Sequence, residues 1–238
     1  MSTKQVKLIC IFILTILLNS WHSYSANRYW VGNNSNKNWN VTANWSATSG
    51  GSGGASVPGV TDSVYFDNGG PGQVILDVNI SIARFTMQAS YTDTIKQNGK
   101  TITTTSIGMQ LNGGTFLGNT GNISVSGNFT LAGTNFISTS STLTISREYS
   151  FTSGNFVHNN GTVRFSGAAT TNTRTISGST DFYDLLLAPS GAITYVFNAS
   201  SVFNVKHNLT ESGTYSIKIN EGTTHSSELL RKQSNNPL

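Results

Sequence analysis

Three tryptophans near the start of the chain, Trp30, Trp39 and Trp45, are the residues best suited to binding a ligand. A flat indole ring buries well against the apolar face of a sugar ring, so exposed tryptophans could stack on a glycan. The other interpretation, which we favour, is that the three indoles pack together as the core of an N-terminal cap. The two hypotheses differ in whether an indole face is exposed.

Three aspartates in the same region, Asp62, Asp67 and Asp77, could contribute oxygen ligands to a calcium ion. Their spacing matches no calcium-loop signature, and we expect them to stabilise turns. The four histidines share no spacing typical of metal ligands: they are His22, His158, His207 and His225. We therefore expect no metal site and no cofactor.

Glycoside hydrolysis usually needs two carboxylates about 5–10 Å apart. Asp181 and Asp184 are close in sequence, but the alternation of a strand predicts that they point to opposite faces. Arg164 and Asp184 differ by one repeat and are expected to form an outward-facing pair on adjacent repeats. His207 is expected at a corner of its repeat. We predict no catalytic residues and a protein that is not an enzyme.

The elements that must position these residues repeat every 20 residues. Apolar residues recur in three columns: Thr103, Ile123, Leu143, Val163, Tyr183 and Phe203; Thr105, Val125, Ile145, Phe165, Leu185 and Val205; and Phe116, Phe136, Phe156, Ile176, Val196 and Ser216. A short fixed period indicates stacked units that each bury an apolar face on their neighbours. The phase loosens after residue 168, where residues 168–172 are expected to form a small loop.

Within each repeat, apolar residues alternate with Ser, Thr and Asn, which is typical of β-strands. Twenty residues are too few for a propeller blade but suit one rung of a parallel β-helix. We predict an all-β, right-handed parallel β-helix, a solenoid with rungs of about 20 residues stacked about 4.8 Å apart. The alternative is an antiparallel meander of hairpins, which would tolerate variable spacing.

Residues 1–25 are expected to be a secretory signal peptide, with Lys4 and Lys7 before an apolar segment at residues 8–18. Cleavage would place Ala26 first in the mature chain; the alternative is an uncleaved N-terminal anchor. The single cysteine, Cys10, lies inside the apolar segment. The mature chain would then have neither disulfides nor a membrane span.

Charged residues make up only 10% of the chain, against about 25% in typical soluble proteins. The formal net charge is +4, and removal of Lys4 and Lys7 leaves +2. The basic residues are scattered, so the composition gives no indication of nucleic-acid binding. Low charge with 37% hydrophobic residues is typical of a β-rich extracellular protein.

Four segments follow: a signal peptide (1–25), a Trp-rich cap module (26–75), β-helix repeats (76–222) and an irregular polar tail (223–238). A solenoid normally needs a cap at each end, because an open rung exposes strand edges and core. The tail is a poor cap. Either it folds over the last rung as a short helix, or the sequence is a truncated piece of a longer protein.

Two sets of motifs resemble the large secreted or cell-surface adhesin-like proteins of Bacteroidetes that are cargo of type IX secretion. The cap resembles their N-terminal module through Tyr29-Trp30-Val31-Gly32, Asn38-Trp39, Asn44-Trp45-Ser46, the Ser/Gly run from Ser49, Val57-Pro58 and Asp62-Ser63-Val64-Tyr65-Phe66-Asp67. The repeats resemble theirs through Gly161-Thr162-Val163-Arg164-Phe165-Ser166-Gly167, Arg174-Thr175-Ile176-Ser177-Gly178 and Phe182-Tyr183-Asp184-Leu185-Leu186-Leu187. The resemblance covers most of residues 28–222. The sorting domain that ends such proteins has no counterpart in this sequence.

The resemblance implies an exported protein of the cell surface or the extracellular space. We therefore expect a structural, adhesin-like and non-enzymatic solenoid whose partners are extracellular polysaccharide or cell-surface components. The alternative is a carbohydrate-binding module or a polysaccharide-active enzyme on the same scaffold, since a fold does not fix a function.

Overall fold

The computed structural model describes residues 25–32, 35–167, 173–199, 201–219 and 224–225. Residues 1–24 of the predicted signal peptide (1–25), the loop at 168–172 and most of the tail at 223–238 lie outside the described residues. Within them, one short 3-10 helix, Thr42–Asn44, accompanies the strands. The strands are β1 (Asn27–Trp30), β2 (Trp45–Ser46), β3 (Ser63–Phe66), β4 (Val74–Ile75), β5 (Ile80–Met87), β6 (Thr94–Lys96), β7 (Ile102–Leu111), β8 (Thr115–Leu117), β9 (Ile123–Val125), β10 (Asn128–Ile137), β11 (Thr142–Ile145), β12 (Tyr149–Val157), β13 (Thr162–Phe165), β14 (Thr173–Ser177), β15 (Thr180–Leu187), β16 (Ile193–Phe197), β17 (Val202–Glu211), β18 (Tyr215–Ile219) and β19 (Thr224–His225).

The strands form a parallel β-solenoid of about seven rungs, which confirms the predicted fold class. Each complete rung contributes strand segments to three faces, named I, II and III in chain order from Ile80. Each face carries one buried or half-buried apolar column, and the three columns meet in one continuous core.

The backbone pairings define the members of each column. Face I stacks Ile80, Ile102, Ile123, Leu143, Val163, Leu185 and Leu209. Face II stacks Val64, Phe85, Met109, Phe129, Tyr149, Ile176 and Phe197. Face III stacks Val74, Ile95, Phe116, Phe136 and Phe156.

The predicted 20-residue register is correct in the middle of the solenoid and wrong at its ends. Leu143 pairs with Ile123 and with Val163, as the period requires. Val163 then pairs with Leu185 rather than Tyr183, because that rung is 22 residues long. Ile176, predicted in the column of Phe156, instead lies opposite Tyr149 on face II. The rungs therefore vary in length at their corners while the strands keep their hydrogen-bond register.

Alternation within each strand explains why the sequence forms these rungs. In β11, Leu143 and Ile145 are buried while Thr142 and Thr144 are half-buried on the outer side. On face III, the rings of Phe116 and Phe136 lie 5.2 Å apart and those of Phe136 and Phe156 lie 5.6 Å apart. Each such aromatic pair adds about 0.5–1.5 kcal/mol to the free energy of area burial. No rung has a closed core of its own.

Buried polar side chains tie neighbouring rungs together where face III turns into face I. The side chain of Gln97 is fully buried, and its Nε2 donates hydrogen bonds to the carbonyl oxygens of Lys100 and Gly121, at 2.9 and 2.6 Å. Its Oε1 accepts a hydrogen bond from the Asn119 amide at 2.8 Å. A shift of one rung against the next would leave these buried polar groups without partners, which is costly. The Gln97 hydrogen bonds therefore fix the spacing and the register of the two rungs at this corner.

The Trp-rich segment belongs to the same sheet as the rungs. Strand β1 is parallel to β3, and β3 is parallel to β5 of the first complete rung. Strand β2 pairs with β1 in the antiparallel sense, with Trp30 opposite Trp45. The Trp-rich segment therefore covers the first complete rung, and it ends the parallel ladder with the antiparallel pair of β1 and β2.

Replacing Phe136 with Asp should prevent folding. A carboxylate at this fully buried position loses the ring contacts and leaves a charge in an apolar core, which costs at least about 4 kcal/mol. Leu117→Asp is the control, since Leu117 faces outward on the same face and is 40% exposed. Thermal melting of both variants is the measurement. An unchanged melting temperature for Phe136→Asp would contradict the stacked-column structure.

Two glycines with matched backbone angles test how closely the rungs approach. Gly108 and Gly54 have φ of +111° and +110°, so an alanine is strained at both. A Cβ at Gly108 would clash with the carbonyl oxygen of Asn128 on the next rung, whereas a Cβ at Gly54 meets nothing within 4 Å. Gly108→Ala should therefore lower the free energy of unfolding by about 1–3 kcal/mol more than Gly54→Ala in urea melts. Equal losses would mean that the rungs are spaced more widely here.

Candidate functional site

The three tryptophans are core residues. Trp30, Trp39 and Trp45 are 0%, 1% and 0% exposed. The Trp45 ring contacts the other two edge-on, at centroid distances of 5.3 and 4.6 Å. Its Nε1 donates a hydrogen bond to the Trp39 carbonyl at 2.7 Å. This burial matches the cap-core interpretation, whereas stacking on a sugar needs a ring face that none of the three presents.

The aspartates of the cap region bind backbone amides, as expected for residues that stabilise turns. Each carboxylate accepts at least one N–H at 2.8 to 3.0 Å. The donors are Ala26 and Gly59 for Asp62, Gly69 for Asp67, and Asn40 for Asp77. Within the described residues, no three His, Cys, Asp or Glu side chains come together as a metal site.

The predicted pair of Arg164 and Asp184 is wrong. Because the rung is 22 residues long at this point, Asp184 lies opposite Thr162, and Arg164 lies opposite Leu186. Asp184 instead lies 2.9 Å from Nδ1 of His207 on the following rung.

The prediction that Asp181 and Asp184 point to opposite faces is also wrong. Strand β15 bends around the corner between faces III and I, and its pairing with β17 shifts between Phe182 and Asp184. Phe182 and Leu185 are both fully buried, so the residues before and after this bend face outward. The side chains of Asp181 and Asp184 are 48% and 26% exposed, one on each side of Tyr183.

Three rings stack along this outer corner on successive rungs. Tyr183 lies between His158, at a centroid distance of 5.3 Å and 30° between planes, and His207, at 4.8 Å and 19°. The prediction of Tyr183 in an apolar column is wrong, because Leu185 takes that position opposite Val163. His207 lies at a rung corner, as predicted, and its ring stacks on Tyr183 there. The spacing of Phe182, Leu185 and Leu187 breaks strict alternation, and this break is the sequence signal that Tyr183 faces outward.

Asp181 lies beside this stack and is held by two residues of the next rung. Asn204 Nδ2 donates to Oδ1 at 2.7 Å, and Lys206 Nζ lies 2.9 Å from Oδ2. Partial burial alone would raise the pKa of Asp181, but these hydrogen bonds and the charges of Lys206 and His158 lower it below its ordinary value. Asp181 is therefore an ionised hydrogen-bond acceptor at neutral pH.

A cleft opens next to Asp181 on face III. Strand β12 pairs with the following rung only at Tyr149 and Ser150, and within the described residues no ladder joins residues 155–157 to residues 180–182. Phe156 follows Tyr149 by seven positions, whereas Phe182 follows Ile176 by six, so the two rungs reach face III out of register with each other. The cleft has a volume of about 260 Å³ and extends over three rungs, from Phe151 to Asn204.

The arrangement suits hydrogen bonding better than bond cleavage. Asp184 Oδ1 accepts from the Asn208 amide at 3.0 Å and lies 2.9 Å from His207 Nδ1. Asp181 is likewise already bound to Asn204 and Lys206. General acid catalysis by a carboxyl group needs a raised pKa, and the pKa of Asp181 is lowered instead.

No family model, no curated protein and no solved structure matches the chain. The fold and the outer corner are therefore the structural basis from which a function can be argued. The part of the chain that the structure describes also has no helix with the length and apolar character to span a bilayer.

The lowered pKa of Asp181 predicts a small dependence of stability on pH. A lowered pKa means that the folded state favours the carboxylate, so this stabilisation is present above the ordinary pKa of 3.8 and is lost as the pH falls through the folded value. Asp181→Asn should lower the melting temperature by no more than a few degrees at pH 7, and the difference should vanish at strongly acidic pH. Lys206→Met should behave similarly, and Lys218→Met, at another exposed lysine, should not. A difference that persists in acid would assign the effect to packing.

Proposed function

We propose that this chain is an exported, adhesin-like structural solenoid that works without catalysis at the cell surface or in the extracellular space. The observation that carries the proposal is the outer surface, where neutral side chains of successive rungs bond to one another. The pairs are Asn155 Nδ2 to Asn135 Oδ1 at 3.0 Å, Ser146 Oγ with Ser166 Oγ at 3.2 Å, and Thr194 Oγ1 with Ser216 Oγ at 2.9 Å.

Such ladders create a surface that is polar, nearly uncharged and repeated along the solenoid. Neutral hydroxyl and amide groups match the chemistry of polysaccharides and of glycosylated cell surfaces, which are the partners that we propose. None of the three residue types in these ladders, Asn, Ser and Thr, carries a charge that would attract nucleic acid. The ordered carboxylates at the outer corner support the same role, since Asp181 and Asp184 stabilise contacts between rungs.

Export is supported by the sequence rather than by the fold. The charged and apolar segments before Ala26 have the pattern of a signal peptide, and no cysteine follows Cys10. A protein outside the cell without disulfides needs another source of stability. The rung-to-rung ladders and the continuous apolar core supply it here.

To test this proposal, the full chain is expressed in a bacterium with Sec export, and the exported fraction is analysed. We expect N-terminal sequencing to begin at Ala26, and beads coated with this protein to be retained on polysaccharide-coated surfaces. Beads coated with the Phe136→Asp variant control for adhesion by unfolded chain. Protein that stays inside the cell with residues 1–25 attached would argue against export, and equal retention of both bead types would argue against a specific adhesive surface.

A further inference from the structure

We propose that the cleft on face III binds one residue of a neutral glycan. The inference goes beyond the structural role, because a solenoid can serve as a scaffold whether or not this cleft is occupied. It also differs from stacking on the buried tryptophans, since the cleft is lined by residues of β12, β15 and β17.

The shape of the cleft favours a ring-sized ligand over a peptide strand. An added strand between β12 and β15 would require them to be about 9.6 Å apart, twice the ordinary spacing. The two strands instead approach within 8 Å between Cα atoms, and the rings of Phe156 and Phe182 lie 6.1 Å apart. The volume of about 260 Å³ lies just below the roughly 300–1,000 Å³ of sites for small molecules. The interruption therefore leaves a short opening rather than a strand-length slot.

The lining combines an apolar wall with polar groups, as a sugar residue requires. Phe151 and Phe156 are half-buried, and Val202 is 39% exposed, so apolar carbon faces the cleft. Asn155 and Asp181 are exposed beside them, and Asn204 is half-buried. A sugar ring has an apolar face of C–H groups and an edge of hydroxyls, so each part of its surface finds a partner.

The polar groups retain capacity to accept hydrogen bonds. Asn155 donates through Nδ2 to Asn135, and Asn204 donates through Nδ2 to Asp181, so the carbonyl oxygen of each amide can accept a hydroxyl. Each oxygen of Asp181 has one partner and can accept a second hydrogen bond. Because Asp181 and Lys206 cancel each other's charge, the site favours a neutral ligand over an anionic one.

The experiment measures binding to the folded mature protein by isothermal titration calorimetry. The probes are tetrasaccharides of β-1,4-linked glucose, mannose, galactose and xylose, with a Thr/Ser-rich decapeptide as the strand-forming alternative. We expect saturable binding of at least one tetrasaccharide. Asn155→Ala and Asp181→Ala should each weaken it at least about tenfold, because each removes an acceptor for a ligand hydroxyl.

Two further variants separate loss of the site from loss of the fold. Val202→Asp puts a charge on the apolar wall at an exposed position, so it should abolish binding with little change in melting temperature. Asn208→Ala removes an exposed amide from the same strand outside the cleft and should leave affinity unchanged. The proposal is wrong if no tetrasaccharide binds, if binding survives the cleft variants, or if only the decapeptide binds. If coated beads are retained but no tetrasaccharide binds, the adhesive role proposed above is supported and the glycan site in the cleft is contradicted.

Discussion

Backbone hydrogen bonds between successive rungs hold this solenoid together, because a single rung cannot enclose a core. The ladder requires that each strand return to the column below it, in parallel and in register. Side chains of similar chemistry then stack on successive rungs. Phenylalanines stack inside face III, and serines, threonines and asparagines form hydrogen-bonded pairs on the outer surface. The same requirement produces both the apolar interior and the neutral exterior, so stability and surface chemistry have a common origin.

The rungs of constant length could be predicted from sequence because their corners are equal. Ile123, Leu143 and Val163 recur at the same interval and do pair with one another. Beyond Phe165 the corners change length, and a fixed period then assigns Tyr183 and Ile176 to the wrong columns. Hydrogen-bond register is conserved in space rather than in residue count, so a count fails wherever a corner gains or loses residues.

The candidate site could be predicted only in part, for a related physical reason. The tryptophans have the right chemistry for sugars, but residue type alone cannot show that all three are buried against one another. The cleft is created by strand segments that are not paired, and none of Asn155, Asp181 or Asn204 is unusual in a chain rich in neutral polar residues. What brings them together is the mismatch between two corners of adjacent rungs.

The antiparallel pairing of β1 with β2 gives the solenoid a direction. A parallel ladder can be lengthened by any strand that matches its outer edge, including one from another molecule. Beside the antiparallel pair, an incoming parallel rung finds neither the matching strand direction nor an open apolar column, because Trp30, Trp39 and Trp45 fill that space. A second copy stacked head to tail on this end would therefore lack a parallel partner strand at β2, so the antiparallel pair disfavours growth of the solenoid by addition of further copies here.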